Sequence, residues 1–222
     1  MSPHSIAILM KPIFTAWFLC LCMAASSWAA PRKWVEQIRP ELNPEIEADG
    51  DSFGMTVDGK KGGRTKRTYR LYGVDCPEGD PKDPLVKERM EEQAEHFGVP
   101  VEQIPAWGKK AEAFTERLLK KGNPKLFTYG PLGEMVQKNK GRRQRYYVLI
   151  EVTDQSGKRR WLHELLLEAG LARAHGEPAP WPEKDLERDR ENQVRNEFLK
   201  DLKKLENKAK RNAAGIWQKG AG

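Results

Sequence analysis

At 222 residues the chain can bury a sizeable core in one domain. Charged residues make up 32% of it and only one apolar run approaches membrane length, which excludes a multi-span membrane protein. Lysine and arginine exceed aspartate and glutamate by 39 to 32, giving a pI near 9.2, and that balance suits a polyanionic partner, nucleic acid before anionic envelope.

Lys11 is followed by an apolar run from Pro12 to Ala25 and then by Ser27-Trp28-Ala29, a small-x-small site. This pattern predicts a secretory signal peptide over residues 1–29, cleaved near Ala29, and a secreted or periplasmic protein. Membrane attachment would follow only if the segment stayed uncleaved. Its removal takes away Lys11 and no acidic residue, so the formal charge passes from +7 to +6. Cys20 and Cys22 leave with it, and the remaining Cys76 can form no internal disulfide. Nothing near Cys76 in sequence activates it as a nucleophile.

A polar lead-in, residues 30–44, carries Pro40 and Pro44. Ser52 to Val57 reads as a strand, the glycine-rich stretch Asp58 to Arg64 as a turn, and Thr68 to Val74 as the returning strand of a hairpin. Pro84 to Phe97 is charged with few breakers, a predicted helix ended by Gly98-Val99-Pro100. From Trp107 to Leu119, the residues Ala111, Phe114, Leu118 and Leu119 recur on one helical face, and Gly122-Asn123-Pro124 stops that helix. Lys125 to Tyr129 and Arg145 to Thr153 read as strands, and Leu162 to Ala169 as a helix capped by Gly170. A long charged helix follows Pro182, with an apolar stripe Val194, Phe198, Leu202, Leu205, Ala209, Ala213. Strands first and helices later predict a small antiparallel barrel with helices packed on it.

The chemistry gathers at the two ends of one hairpin. Asp49-Gly50-Asp51-Ser52 precedes its first strand, and Asp75-Cys76-Pro77-Glu78 follows its second. Carboxylates converging from two loops repel unless a cation lies between them, and hard oxygen donors favour Ca²⁺ or Mg²⁺. Arg70 lies just before the second acidic turn, where a planar guanidinium can hold two phosphate oxygens. Arg142-Arg143-Gln144-Arg145 opens a later strand and reads either as a second phosphate contact or as a basic rim.

These blocks resemble the staphylococcal-nuclease-like, or thermonuclease, family. The resemblance rests on the hairpin from Asp49 to Glu78, Trp107 to Thr115, Arg145 to Ile150, Leu165 to Ala172 and Gly215-Ile216-Trp217, in family order over residues 45–218. It implies an α+β fold, a five-stranded antiparallel OB-type β-barrel with three to four packed α-helices. It also implies Ca²⁺-assisted hydrolysis of DNA or RNA phosphodiesters by a monomer with no stable protein partner, Mg²⁺ being the second choice. By position, Asp51, Asp75 and the Cys76 carbonyl resemble metal ligands, and Arg70 and Arg145 the phosphate-binding catalytic arginines. Glu78 resembles the carboxylate that orients or deprotonates the attacking water.

The chain also departs from the family. Arg143-Gln144 stands where a Tyr-Gly pair precedes the second arginine, which leaves Arg143 as the reserve for Arg145, and no tyrosine lies near Gly176. A helical insertion at about 80–105 enlarges the loop after Glu78, and the C-terminal helix is extended over about 183–213. Two readings stay open at this point: a metal-dependent nuclease, and a non-catalytic nucleic-acid-binding barrel.

Overall fold

The computed structural model describes residues 34–45, 49–59, 63–79, 84–129, 145–176 and 186–218. The predicted signal segment and Arg142, Arg143 and Gln144 lie outside them. In chain order the elements are β1 (Trp34–Glu36), β2 (Glu41–Leu42), β3 (Ser52–Asp58), β4 (Arg64–Leu71), β5 (Val74–Asp75), α1 (Pro84–Phe97), α2 (Ile104–Lys121), β6 (Lys125–Tyr129), β7 (Arg145–Thr153), β8 (Arg159–Trp161), α3 (Leu162–Glu168), β9 (Arg173–Ala174) and α4 (Leu186–Arg211). A 3-10 turn at Gly215–Trp217 follows α4.

Period-two sequence builds the sheet. In β7, Val148, Ile150 and Val152 are buried while the residues between them are half-exposed, as alternate side chains of a strand point to opposite faces. The buried set meets Phe53, Met55, Tyr69, Leu71 and Leu126 from β3, β4 and β6, all essentially inaccessible to solvent. Each such side chain contributes roughly 1.5–3 kcal/mol on leaving water. β3 and β4 are antiparallel, with Ser52 opposite Arg70. β4 runs parallel to β7, with Thr68 beside Arg145 and Arg70 beside Tyr147. The strand order is β1-β6-β7-β4-β3-β2 with β8 folded onto β7, and β5 pairs with β9 in a separate ribbon.

The α+β class stands, and the expected five-stranded barrel needs correction. One sheet has seven strands on an open path, and two further strands form the ribbon. The additional strands β1, β2, β5, β8 and β9 are two or three residues long, too short for alternation to announce them in sequence.

Helix α2 buries Ile104, Trp107, Gly108, Ala111, Thr115, Leu118 and Leu119, spaced three and four apart as an amphipathic helix requires. Helix α1 turns Met90, Gln93, Ala94 and Phe97 inward. Its C-terminal end is tied to the end of the chain, with the Phe97 and Trp217 rings 4.8 Å apart and His96 Nε2 2.7 Å from Glu206 Oε1 of α4. The predicted stripe on α4 packs at Phe198, Leu202, Leu205 and Ala209, whereas Val194 and Ala213 are exposed. Among the described residues no helix is long and apolar enough to cross a membrane.

Candidate active site

The first acidic loop is shaped by its own side chain. The Asp49 carboxylate accepts the backbone N–H groups of Asp51 and Ser52 at 3.1 and 2.6 Å, the local pattern by which aspartate turns a chain. Helix α2 backs both acidic loops. The Thr115 hydroxyl donates to the Gly50 carbonyl at 2.6 Å, and a side chain on Gly50 would place its Cβ 2.6 Å from Ala111 Cβ and 2.8 Å from Cys76 Sγ. A Cβ on Gly108 would lie 2.6 Å from the carbonyl of Glu78. Glycine at 108 lets the helix touch the Glu78 turn backbone to backbone, and glycine at 50 leaves room for the Ala111 and Cys76 side chains.

Because Ser52 lies opposite Arg70, the loop before β3 and the turn after β4 converge. Arg70 is the bridge: Nη1 is 2.5 Å from Asp51 Oδ1 and Nη2 2.6 Å from Asp75 Oδ1. The Cys76 backbone N–H donates to Asp51 Oδ2 at 2.6 Å, fastening one loop to the other. Arg145 arrives from β7 and donates from Nη1 to the Ser52 hydroxyl at 3.1 Å, while Arg70 Nη1 reaches the same hydroxyl at 3.3 Å. The six predicted site residues, Asp51, Arg70, Asp75, Cys76, Glu78 and Arg145, are therefore brought together. Arg145 has no carboxylate partner among the described residues.

Four more residues join them that the sequence did not announce. Asp75 Oδ1 also receives Arg89 Nη2 at 2.5 Å, and its Oδ2 receives Arg173 Nε and Gln93 Nε2, both at 2.9 Å. Arg89 Nη1 holds Glu78 Oε1 at 2.6 Å, and Arg173 Nη2 reaches Glu92 at 2.8 Å. Gln93 further donates to the Cys76 carbonyl and accepts the Glu78 N–H, each at 2.9 Å. One signal was available: Gln93 is a polar residue on the apolar face of α1, between Met90, Ala94 and Phe97. Arg173 gave none, because the two-residue pairing of β5 with β9 brings it to Asp75.

The two bridged carboxylates are unequal. Burial opposes ionisation of Asp75, but Arg70, Arg89 and Arg173 outweigh it and hold its carboxyl far below the usual range. Asp51 is pushed well above that range by burial and by Asp49 and Asp75, against the single opposing charge of Arg70. Burial also raises Glu78, with Arg89 pulling the other way. The Cys76 thiol is raised by burial and then by the surrounding aspartates, so it is an inert, protonated core group.

Residues 68–219 match the family described as staphylococcal nuclease homologue. The chain belongs to this family. Compared with curated proteins it has no match. Staphylococcal nuclease homologues have an OB-like fold, are typically phosphodiester hydrolases and generally use Ca²⁺. In this homologue Asp51 lies upstream of the matched region, and the β3–β4 register carries it to the rest.

The donor set suits a hard cation in kind, with two buried carboxylates and a carbonyl oxygen. Among the described residues no group of three or more His, Cys, Asp or Glu side chains is arranged to hold a metal. The facing oxygens of Asp51 and Asp75 are engaged by Arg70, so a cation shared by the two carboxylates would stand where that guanidinium stands.

Proposed function

We propose that the chain is an exported nuclease that hydrolyses phosphodiester bonds of DNA, and of RNA as a second substrate, with Ca²⁺ rather than Mg²⁺ as its cation. The supporting observation is that Ser52 joins Arg70 and Arg145 within the cluster that contains Glu78. Asp51, Asp75 and the Cys76 carbonyl are the residues that would hold Ca²⁺, which would supply positive charge to offset that of the phosphate. Arg145, unengaged by any carboxylate among the described residues, binds a phosphate oxygen, and Arg70, released when a cation takes its place between Asp51 and Asp75, would turn its fork to a second. Charge gathering on these oxygens as water adds is offset by both guanidinium groups, and removing one such donor costs about 10²–10³ in rate. Glu78, with Oε1 held by Arg89, has Oε2 for the water. Water oxygen forms the new bond to phosphorus as the water proton passes toward the Glu78 carboxylate, and the opposite P–O ester bond breaks with its electron pair leaving on the ester oxygen, which takes a proton from solvent.

The test is incubation of the protein lacking residues 1–29 with single- and double-stranded DNA and with RNA, in Ca²⁺ and then in chelator, beside Glu78→Gln and Arg70→Ala. The expected result is metal-dependent cleavage that falls by orders of magnitude in both variants. Tight binding with no cutting under any condition would replace the enzyme by a non-catalytic nucleic-acid-binding domain of the same fold. Parallel measurements on Arg143→Ala and Arg145→Ala assign the second arginine.

A further inference from the structure

Helix α1 is inserted after Glu78, and its side chains at 89 and 93, four apart and so on one face, both return to the turn they follow. Gln93 is fully buried among Met90, Ala94 and Phe97, where an apolar residue would ordinarily stand. Its amide nitrogen donates to Asp75 Oδ2 and to the Cys76 carbonyl, and its amide oxygen accepts the Glu78 N–H. A buried amide is tolerated only when satisfied in this way. Arg89 is different in kind. Its side chain keeps 35% exposure at the rim, and its fork spans Asp75 Oδ1 at 2.5 Å and Glu78 Oε1 at 2.6 Å.

We propose that Arg89 and Gln93 are positioning residues of the hydrolytic site, Gln93 fixing the backbone from Asp75 to Glu78 and Arg89 fixing the Glu78 carboxylate itself. The inference rests on the nuclease reading. A glutamate side chain has three rotatable bonds, and the backbone grip of Gln93 does not orient its head. Arg89 does so by clamping one oxygen against an anchored neighbour, which turns the other toward the water. The anchor is rigid because Asp75 is also held by Arg70 and Arg173. The planar fork matters: a lysine is a point charge and cannot span two carboxylates at fixed separation.

The experiment measures kcat and KM on single-stranded DNA for the wild type, Arg89→Ala, Arg89→Lys and Gln93→Leu, with thermal unfolding of each. Arg89→Ala is then assayed with guanidinium chloride at a sub-denaturing concentration. A carboxylate that has lost its clamp lowers kcat about 10- to 100-fold, with KM within about threefold because binding of the phosphate is untouched. Guanidinium restores several-fold of kcat to Arg89→Ala and nothing to the wild type, and Arg89→Lys falls between the two. Gln93→Leu loses kcat without rescue and melts lower. The proposal is overturned if Arg89→Ala keeps full kcat, if its loss lies in KM, or if neither guanidinium nor lysine recovers activity, which would make the pair a scaffold contact. An inactive wild type would remove the nuclease reading and this inference with it. An active wild type with an unaffected Arg89→Ala would remove this inference alone.

Discussion

Gly108→Ala separates a helix that merely lies near the site from one that sets its position. Within a helix this exchange normally stabilises by about 1 kcal/mol, since glycine is the poorer helix former. Here the new Cβ would stand 2.6 Å from both carbonyl atoms of Glu78 and 2.7 Å from the Gly79 nitrogen, all of them backbone. Ordinary carbon contacts begin near 3.5 Å, so the turn must retreat by roughly 1 Å. Overpacking of that order costs about 1–3 kcal/mol. Set against the helix gain, the balance runs from about zero to 2 kcal/mol of destabilisation, a fall in Tm of up to ~8 °C for a chain of this size. The catalytic effect is larger, because displacing a positioned group by ~1 Å costs about 10²-fold in rate. Calorimetry and single-stranded DNA cleavage should therefore give a small loss of Tm with a large loss of kcat. A variant that melts higher than wild type and cuts equally well would refute the close contact between α2 and the Glu78 turn.

Arg70→Met should enlarge the Ca²⁺-induced rise in Tm, because the guanidinium no longer competes for the facing oxygens of Asp51 and Asp75; an unchanged or smaller rise would show that cation and guanidinium do not share a position. Asp75 has its folded pKa depressed, so its contribution to stability is complete above the unfolded value of about 3.9 and is lost as pH falls through that value toward the folded one. Urea midpoints from pH 6 to pH 3 should thus decline, and Asp75→Asn should start about 3 kcal/mol lower at pH 6 and decline less steeply. Cys76→Ala should retain cleavage within about threefold, since the role assigned to this residue is carried by its carbonyl, and native protein should react slowly with thiol reagents.

Sequence announced those parts of the molecule whose signal is periodic or adjacent. Nine-residue β7 alternates cleanly, α2 keeps its apolar face over eighteen residues, and both acidic loops abut the hairpin that joins them. Arg70, Asp75, Cys76 and Glu78 fall within nine positions, so their proximity needed little folding to predict. Arg173 and Arg89 were invisible for the opposite reason. One reaches Asp75 through a ribbon of two residue pairs, the other through the docking of a helix whose polar residues all look alike in a charged sequence. The sequence also suggested Arg70 as an open phosphate clamp, whereas folding gives it two carboxylates to hold. Only the packing of two buried acids against one guanidinium reveals that competition.

Helix α1 is better understood as a fixed wall than as a hinged lid. Lifting α1 would expose Met90, Ala94 and Phe97 and break the three hydrogen bonds of Gln93, besides parting His96 from Glu206. Two large apolar side chains at about 1.5–3 kcal/mol each and buried hydrogen bonds at about 1 kcal/mol each sum to several kcal/mol. That is of the order of the whole stability of a domain. Movement of the helix as a body would therefore approach unfolding, so the side chains it carries to Asp75 and Glu78 keep the positions the helix gives them. Arg89 and Gln93 can fix the Glu78 turn because the helix that carries them is itself fixed.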